Sequence, residues 1–572
     1  MSIGLAVLVL IFKYFKLVNP AQVAVELPSI QKTKLLLLIL FIFFNLIPTF
    51  LFAQVDTSWV RRYDGTAHGE DYARAIAIDD FGNIYVAGVS ENSGTSNDIV
   101  TIKYNSQGEQ QWVAIYNGAL NENDDARAIT VDRFGNVYIT GYSTEYIPGM
   151  CDCVTIKYNN AGGQEWVAIY SDPSGDNDGG SAIIVDSLGN VYVAGSSQVG
   201  GSDTPNYLTI KYNNNGTQQW VNLYDGPAHL EDWAEAIAVD RLGNVYVTGF
   251  STGIGTGWDY ATIKYNALGT EQWVMRYNGS DNSSDGAHAI ALDSLHNVYV
   301  TGGSAGLGTY TDIATIKYST SGVQQWVVKY HKGDEWANAI IVNGVGDVYV
   351  TGGSLDTSLD YVTIKYSTDG IEQWVARYDG PAHFWDEAFA IALDTSDNIY
   401  VTGRSYGVQH DFATVKYNAN GVEQWVIRYN GPTNSEDWAT DIVIDSIGNC
   451  YVTGYSNGPN SYDFTTIKYI QTVGIQENRI VTQNNLENFP NPFLSITTIG
   501  YLVNKKGEII IKIYNADGQL VRTIYEGEKQ AGSYTINWDG RDNEGVKLPS
   551  GSYFYQLEID GKRQTKKMVL VR

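Results

Sequence analysis

The sequence predicts an all-β fold: an eight-bladed β-propeller with a second, smaller β-rich region behind it. Three observations carry that reading. One unit of about fifty residues recurs eight times, a period in the range of propeller blades. Each copy divides into four short stretches separated by turn signals, the content of one blade. The repeat region opens on the last stretch of a copy, and its eighth copy lacks that stretch.

The leader comes first. Residues 32–53, KTKLLLLILFIFFNLIPTFLFA, place a basic start, a long apolar run and a small residue at Ala53 in the order of a secretory signal peptide, with Gln54 as the mature start. A retained membrane anchor is the alternative, since the run is nearly long enough to span a bilayer; Asn45 and Pro48 weaken it. The preceding MSIGLAVLVLIFKYFKLVNP is either a start assigned too far upstream or a second hydrophobic segment.

The repeats follow. Trp-Val occurs at Trp59, Trp112, Trp166, Trp220, Trp273, Trp326, Trp374 and Trp425. A TIKY-type stretch places lysines at Lys103, Lys157, Lys211, Lys264, Lys317, Lys365, Lys416 and Lys468, and a GN-x-Y-V-x-G element or near variant precedes each. In the fourth copy (231–279) AEAIAVD is small and apolar, suited to a crowded inner strand, and RLGN is a tight turn in which Gly243 takes positive φ. NVYVTGF and YATIKY alternate, NALG turns the chain, and EQWVMRY makes a fourth strand. No helical periodicity appears. The eighth copy ends at TTIKY, while SWVRRY at 58–63 is in surplus. Pairing the two closes the ring and leaves no sheet edge open; an open solenoid is the alternative and leaves the surplus strand unexplained.

The repeats resemble the bacterial β-propeller repeat family commonly called seven-bladed, over roughly residues 55–470, through D-x-x-G-N-x-Y-V-x-G and TIKY; this chain departs from that name in having eight copies. The G-x-x-x-W steps (Gly108 to Trp112, Gly216 to Trp220) resemble the tryptophan-docking motif of eight-bladed quinoproteins, which implies tryptophans that lock neighbouring blades. No constellation for quinone and calcium accompanies them.

Beyond a polar linker, FPNPF (489–493), IKIYNADGQLVRTI, WDGRD (Trp538 to Asp542), SGSYFYQL and KKMVLV are similar to the Ig-like module related to the flagellar hook-capping protein, used as a sorting signal by type IX secretion. The resemblance implies a small Ig-like β-sandwich, export to the cell surface or medium, and the secretion machinery as a partner. A free-standing Ig-like module is the alternative. The expected boundaries are 1–53 for the N-terminal extension and signal peptide, 54–470 for the propeller, 471–488 for the linker and 489–572 for the sorting domain.

Composition narrows function. Of 37 basic and 63 acidic side chains, residues 1–53 hold four and one, so the remainder carries a formal charge of −29. The tail holds 12 basic and nine acidic residues, leaving −32 on propeller and linker. Nucleic acid and anionic membranes are disfavoured as partners, because phosphates are repelled; neutral ligands such as sugars are compatible. Cys151, Cys153 and Cys450 form no disulfide framework and read as buried small hydrophobes.

The loops after the second and fourth strands vary in length and content and emerge on one face, the candidate ligand face. One acidic residue precedes each inner strand: Asp71, Asp124, Asp178, Asp232, Asp285, Glu335, Asp386 and Asp437. Two readings apply. They form a carboxylate ring at the channel mouth that attracts cations or a basic partner, or each binds backbone N–H groups of its own loop. Asp172, Asp176 and Asp178 share a loop without an established calcium spacing, and His68, His229 and His383 occupy equivalent positions in non-adjacent copies. No cofactor is expected, with Ca2+ the one ion the acidic positions suit. Trp233, Trp258, Trp336, Trp385 and Trp438 on the variable face suit stacking on sugars, although blade packing is the commoner fate of such residues. No catalytic motif appears. The function expected is a secreted or surface-displayed, monomeric, non-catalytic binding or structural module for a glycan or surface protein. A polysaccharide hydrolase or lyase is the alternative, and a quinone-dependent dehydrogenase ranks third.

Overall fold

The computed structural model describes residues 54–201, 204–306, 310–472 and 487–570, except 490–492, 494–496, 504, 517, 531 and 560–561. The leader and most of the linker lie outside the described residues. Residues 52–473 form one compact unit, and the described residues after them belong to a second.

The first unit is a series of four-stranded antiparallel sheets, with no helix among the described residues. Seven sheets are consecutive meanders: 71–116, 125–170, 178–224, 232–277, 285–330, 334–378 and 386–429. The eighth takes three strands from 437–472 and its fourth from the start of the unit. There Gln54–Tyr63 runs antiparallel to Tyr462–Thr472, from Gln54 opposite Thr472 to Tyr63 opposite Phe464. The surplus strand therefore completes the last copy.

Each repeat element has a physical reason. The inner strand carries a bulge in every sheet, between Ala73 and Ala75 in the first, which pushes the Tyr72 carbonyl toward the second strand. A Cβ at Gly88 would lie 2.0 Å from that oxygen, so the glycine of Y-V-x-G is obligatory. The TIKY lysine and the Trp-Val tryptophan are register partners, as Lys103 is to Trp112. Both reach the next sheet: Lys103 Nζ and Trp112 Nε1 donate to the Asn160 carbonyl at 3.1 and 3.0 Å, and the Trp112 ring packs on Gly162. The predicted docking is thus between copies: seven of the eight tryptophans meet the turn glycine of the following sheet, the exception being Trp425, which faces the eighth copy, where that turn is missing.

The seam between the eighth and first sheets repeats this contact. Trp59 Nε1 and Lys468 Nζ both donate to the Ser106 carbonyl, and the Trp59 ring packs on Gly108. One buried cluster holds Trp59, Tyr451 and Phe464 together with Ile76, Val86 and Ile102. The seam also has a bond of its own. Asp441 stands where the other inner strands carry alanine, and its carboxylate accepts the Ile76 N–H at 3.0 Å, while Thr440 Oγ1 donates to the Ala73 carbonyl. The three cysteines are free thiols, with Cys153 and Cys450 buried.

The second unit sets a three-stranded sheet (Glu487–Phe489, Thr497–Val503, Gly532–Trp538) with a four-stranded one (Leu520–Lys529, Gly507–Tyr514, Gly551–Ile559, Lys562–Leu570). Their shared core includes Phe493, Ile511, Trp538, Tyr555 and Leu570. The closing phenylalanine of FPNPF is Phe493, whose N–H bonds the Val569 carbonyl at 2.9 Å.

Candidate functional site

The eight carboxylates are all buried, at 0–1 % exposure, so they do not line an open channel mouth. Each holds its own loop. Asp71, Asp124, Asp232, Asp285, Asp386 and Asp437 accept the N–H of Gly65, Gly118, Gly226, Gly279, Gly380 and Gly431 at 2.6–2.7 Å. Asp178 does the same for Asp172 and Glu335 for Lys332. In the first copy the donor has to be glycine, since a Cβ at Gly65 would meet Ser90 Oγ at 2.3 Å and Asp71 Oδ1 at 2.9 Å. Burial pushes every one of these carboxyls upward.

A second acidic position, absent from the sequence reading, lies across the same sheet end. In the fourth to eighth sheets a cation from the outer strand meets an aspartate of the third strand: Arg276–Asp259 at 2.9 Å, Lys329–Asp312 at 3.4 Å, Arg377–Asp360 at 3.1 Å, Arg428–Asp411 at 2.7 Å and Arg62–Asp463 at 2.7 Å. Arg62 also donates to Ser456 Oγ, beside Asp437. The first three sheets carry Ile115, Ile169 and Leu223 at the cation's position. In these sheets the inner aspartates Asp71, Asp124 and Asp178 are pushed furthest, to about 6, with burial the leading cause.

Among the described residues, three clusters bring ligand atoms close together: Asp64/Asp71/Asp463, Asp312/His331/Glu335 and Asp360/Asp379/Asp386. Each includes an aspartate already paired with Arg62, Lys329 or Arg377. The Asp172 and Asp176 carboxylates accept bonds from Ser174 Oγ, and Asp172 also accepts the Ser174 N–H. His68, His229 and His383 each bond an aspartate four residues earlier through Nδ1, at exposed left-handed turn positions.

The site that emerges instead is a cavity of about 660 Å³ over the third sheet. On the inner strands, the residue after the conserved-position acid is Tyr72, Asp125, Gly179, Trp233, Gly286, Trp336, Glu387 or Trp438. The third copy has Gly179, Gly180 and Ser181 where its neighbours carry Asp125-Ala-Arg127 and Trp233-Ala-Glu235. Loss of side chains there opens the floor, and the neighbours become walls. Arg127 and Tyr142 stand on one side, with the guanidinium 5.3 Å from the Tyr142 ring centre. Trp233 and Glu235 stand on the other, and Asp178, Asn177, Ser196 and Gln198 add polar groups. Of the eight predicted carboxylates, Asp178 alone lines this cavity. Burial raises the Glu235 carboxyl, with His288 and Arg127 opposing. Trp233 belongs to an aromatic row, with Phe250 between it and Trp258 at centroid distances of 6.5 and 4.7 Å. In the seventh sheet Arg404 reaches toward the eighth, 4.1 Å from the Trp438 ring and bonded to Glu387 at 2.7 Å. Trp336 is tied there too, through Nε1 to Glu387.

With this geometry in view, the sequence matches the beta-propeller repeat model at 59–94, 111–147, 165–201, 229–255 and 424–463, and the FlgD Ig-like domain model at 497–563. The chain carries β-propeller repeats and a FlgD Ig-like domain. The Ig-like domain is also seen in similarity to the basal-body rod modification protein FlgD of Salmonella typhimurium and of Salmonella typhi. Each is 41% identical over 46 residues, 8% of this chain and 20% of the relative. The chain thus spans about a fifth of the length of these curated relatives. Among solved structures, PorZ of Porphyromonas gingivalis, described as an essential surface component of the type-IX secretion system, is 14% identical. It aligns over 88% of this chain and 74% of its own, with a TM-score of 0.31. The periplasmic gluconolactonase PpgL of Pseudomonas aeruginosa is 9% identical over 62% of this chain and 94% of its own, with a TM-score of 0.38. Scores this low do not bear on function. Within the repeats, the matched D-x-x-G-N and Y-V-x-G elements are the turn and bulge positions, whereas the cavity comes from residues in which the third copy departs from the others.

Proposed function

We propose that this β-propeller repeat protein is an extracellular, non-catalytic binding module: a closed eight-bladed ring that seats a neutral glycan in the cavity over its third blade, exported by the FlgD Ig-like domain acting as a type IX sorting signal. The cavity carries the reading. It combines an exposed tryptophan wall, 38 % open at Trp233, with convergent hydrogen-bonding groups from Arg127, Glu235, Asn177 and Gln198. Stacking on one sugar face and polar contact at its rim is what such a lining supplies. The charge of the ring supports a neutral ligand over a polyanion. The pairing of the opening strand with the last sheet supports the closed ring.

The substitution Gly179→Trp tests it. The fourth copy already carries Trp233 at this position, and a Cβ at Gly179 has its nearest neighbour at 3.8 Å, so the backbone accepts the side chain while the cavity fills. On a glycan array the wild-type chain binds and Gly179→Trp does not, with no reducing ends released from the bound polysaccharide. Equal binding by both overturns the cavity assignment, and reducing-end release overturns the non-catalytic one.

A further inference from the structure

A second aromatic surface stands on the ligand face, in the loop leading into the seventh inner strand. The two residues before the inner-strand acid end in a polar side chain in every other copy: Glu70, Asn123, Asn177, Glu231, Ser284, Asp334 and Glu436. The seventh copy has Phe384-Trp385 instead, and both rings are turned outward, at 52 % and 48 % exposure. They are nearly parallel, 6.0 Å apart at 19°. The pair is held from behind. The Trp385 carbonyl accepts the Tyr406 N–H at 3.0 Å, and the Trp385 backbone forms a parallel bridge with Leu359. The Tyr406 ring meets Phe384 edge-on at 5.0 Å, and the Arg404 guanidinium lies 6.0 Å from the Trp385 ring centre. A large aromatic pair left half-open, its backbone anchored and its rings in contact with each other, with Tyr406 and with Arg404, is preorganised for contact with a flat apolar face.

We propose that Phe384 and Trp385 form a second sugar-stacking subsite, and that the ligand is a neutral β-linked polysaccharide long enough to lie on this platform and on Trp233 at once. The proposal rests on the glycan reading of the cavity for its ligand class. β-linked pyranoses with equatorial substituents present the flat C–H faces that indole rings take, and the acidity of the ring disfavours uronate polymers. The two subsites lie on the fourth and seventh blades, so a single sugar cannot fill both. Joining two weak contacts on one chain raises the local concentration for the second, and polymer binding exceeds oligomer binding accordingly.

The full chain is titrated calorimetrically with cellohexaose, laminarihexaose, xylohexaose and mannohexaose, and its affinity for the corresponding polymers is measured by affinity electrophoresis. The variants are Trp385→Ala and Trp233→Ala, with unchanged melting confirming that each is folded. The wild type takes two hexasaccharides per chain and each variant takes one. The polymer binds wild type at least about tenfold more tightly than the hexasaccharide, and either substitution removes that gain. One hexasaccharide per chain, unaffected by Trp385→Ala and lost in Trp233→Ala, overturns the second subsite and leaves the cavity. Loss only in Trp385→Ala overturns the cavity and leaves the platform. No binding of any of these sugars overturns both.

Discussion

Replacing Ile115 by arginine gives the first sheet the cation that the fourth to eighth possess. Ile115 is 46 % exposed, so little apolar burial is lost, and Asp98, the acceptor two residues from its register partner Val100, is nearly fully buried. Burial raises both Asp98 and Asp71, the latter to about 6 from 3.8. A folded-state value above the unfolded one means that the folded chain holds the proton more tightly. The associated stability is complete below about 3.8 and is lost as pH rises through about 6. At pH 7 a shift of this size costs about 3 kcal/mol at Asp71, at about 1.4 kcal/mol per unit. An arginine bonded to Asp98 and Ser90, as Arg62 is to Asp463 and Ser456, offsets about 1–2 kcal/mol of the sheet's burial cost. Urea unfolding followed by tryptophan fluorescence reads the effect. Ile115→Arg is more stable than wild type by about 1–2 kcal/mol at pH 7, and the gain shrinks at pH 5, where Asp71 is largely protonated. Leu223→Arg is the internal control, because its register partner is Leu208 and the residue at the Asp98 position is Asn206; its gain is less than half as large. No gain at pH 7, or equal gains for both substitutions, would refute the electrostatic account of the sheet ends.

Deleting residues 54–63 removes the fourth strand of the eighth sheet and lowers the melting temperature far more than deleting ten exposed loop residues; unchanged melting contradicts ring closure. Trp59→Ala costs about 3–5 kcal/mol in the same assay, the usual range for a buried tryptophan, and a cost below 1 kcal/mol would mean the seam does not depend on it. Asp441→Ala leaves the Ile76 N–H without its acceptor and costs about 1–3 kcal/mol at pH 5, and less at pH 7, where the buried carboxyl, pushed up to about 6, is ionised; hydrogen exchange at Ile76 accelerates before that at Ile183, its counterpart in the third sheet. Fusing residues 489–572 behind a signal peptide and a reporter sends the reporter to the surface or medium of a bacterium with type IX machinery, and retention in the periplasm contradicts the sorting role.

The blades were legible because eight copies state the same local signals, and the strand left over at 58–63 told where the missing one belonged. The acidic residues were harder. One carboxylate per inner strand looks alike whether it rings a channel or staples a loop. The deciding signal was present in six copies: a glycine six residues earlier, at Gly65, Gly118, Gly226, Gly279, Gly380 and Gly431, leaving space for a carboxylate to reach its N–H. The cavity gave no motif at all. It arises where the third copy has less than its neighbours, at Gly179 and Gly180, and an absence acquires meaning only beside the Arg127 and Trp233 that flank it in space. The third-strand aspartates were hidden by composition, since their arginine partners lie 17 residues onward in most sheets and 401 residues back for Asp463.

The pairing of Gln54–Tyr63 with Tyr462–Thr472 also sets an order of events. Of the strands in the eighth sheet, Gln54–Tyr63 is made first and waits for a partner that follows some four hundred residues later. Until then every intermediate has an unpaired edge and an unburied Trp59, so the eighth sheet cannot be completed while its third strand is still being made. Completion of the eighth sheet is therefore a late event, and the seven meander sheets, whose strands all lie close in sequence, are free to form before it.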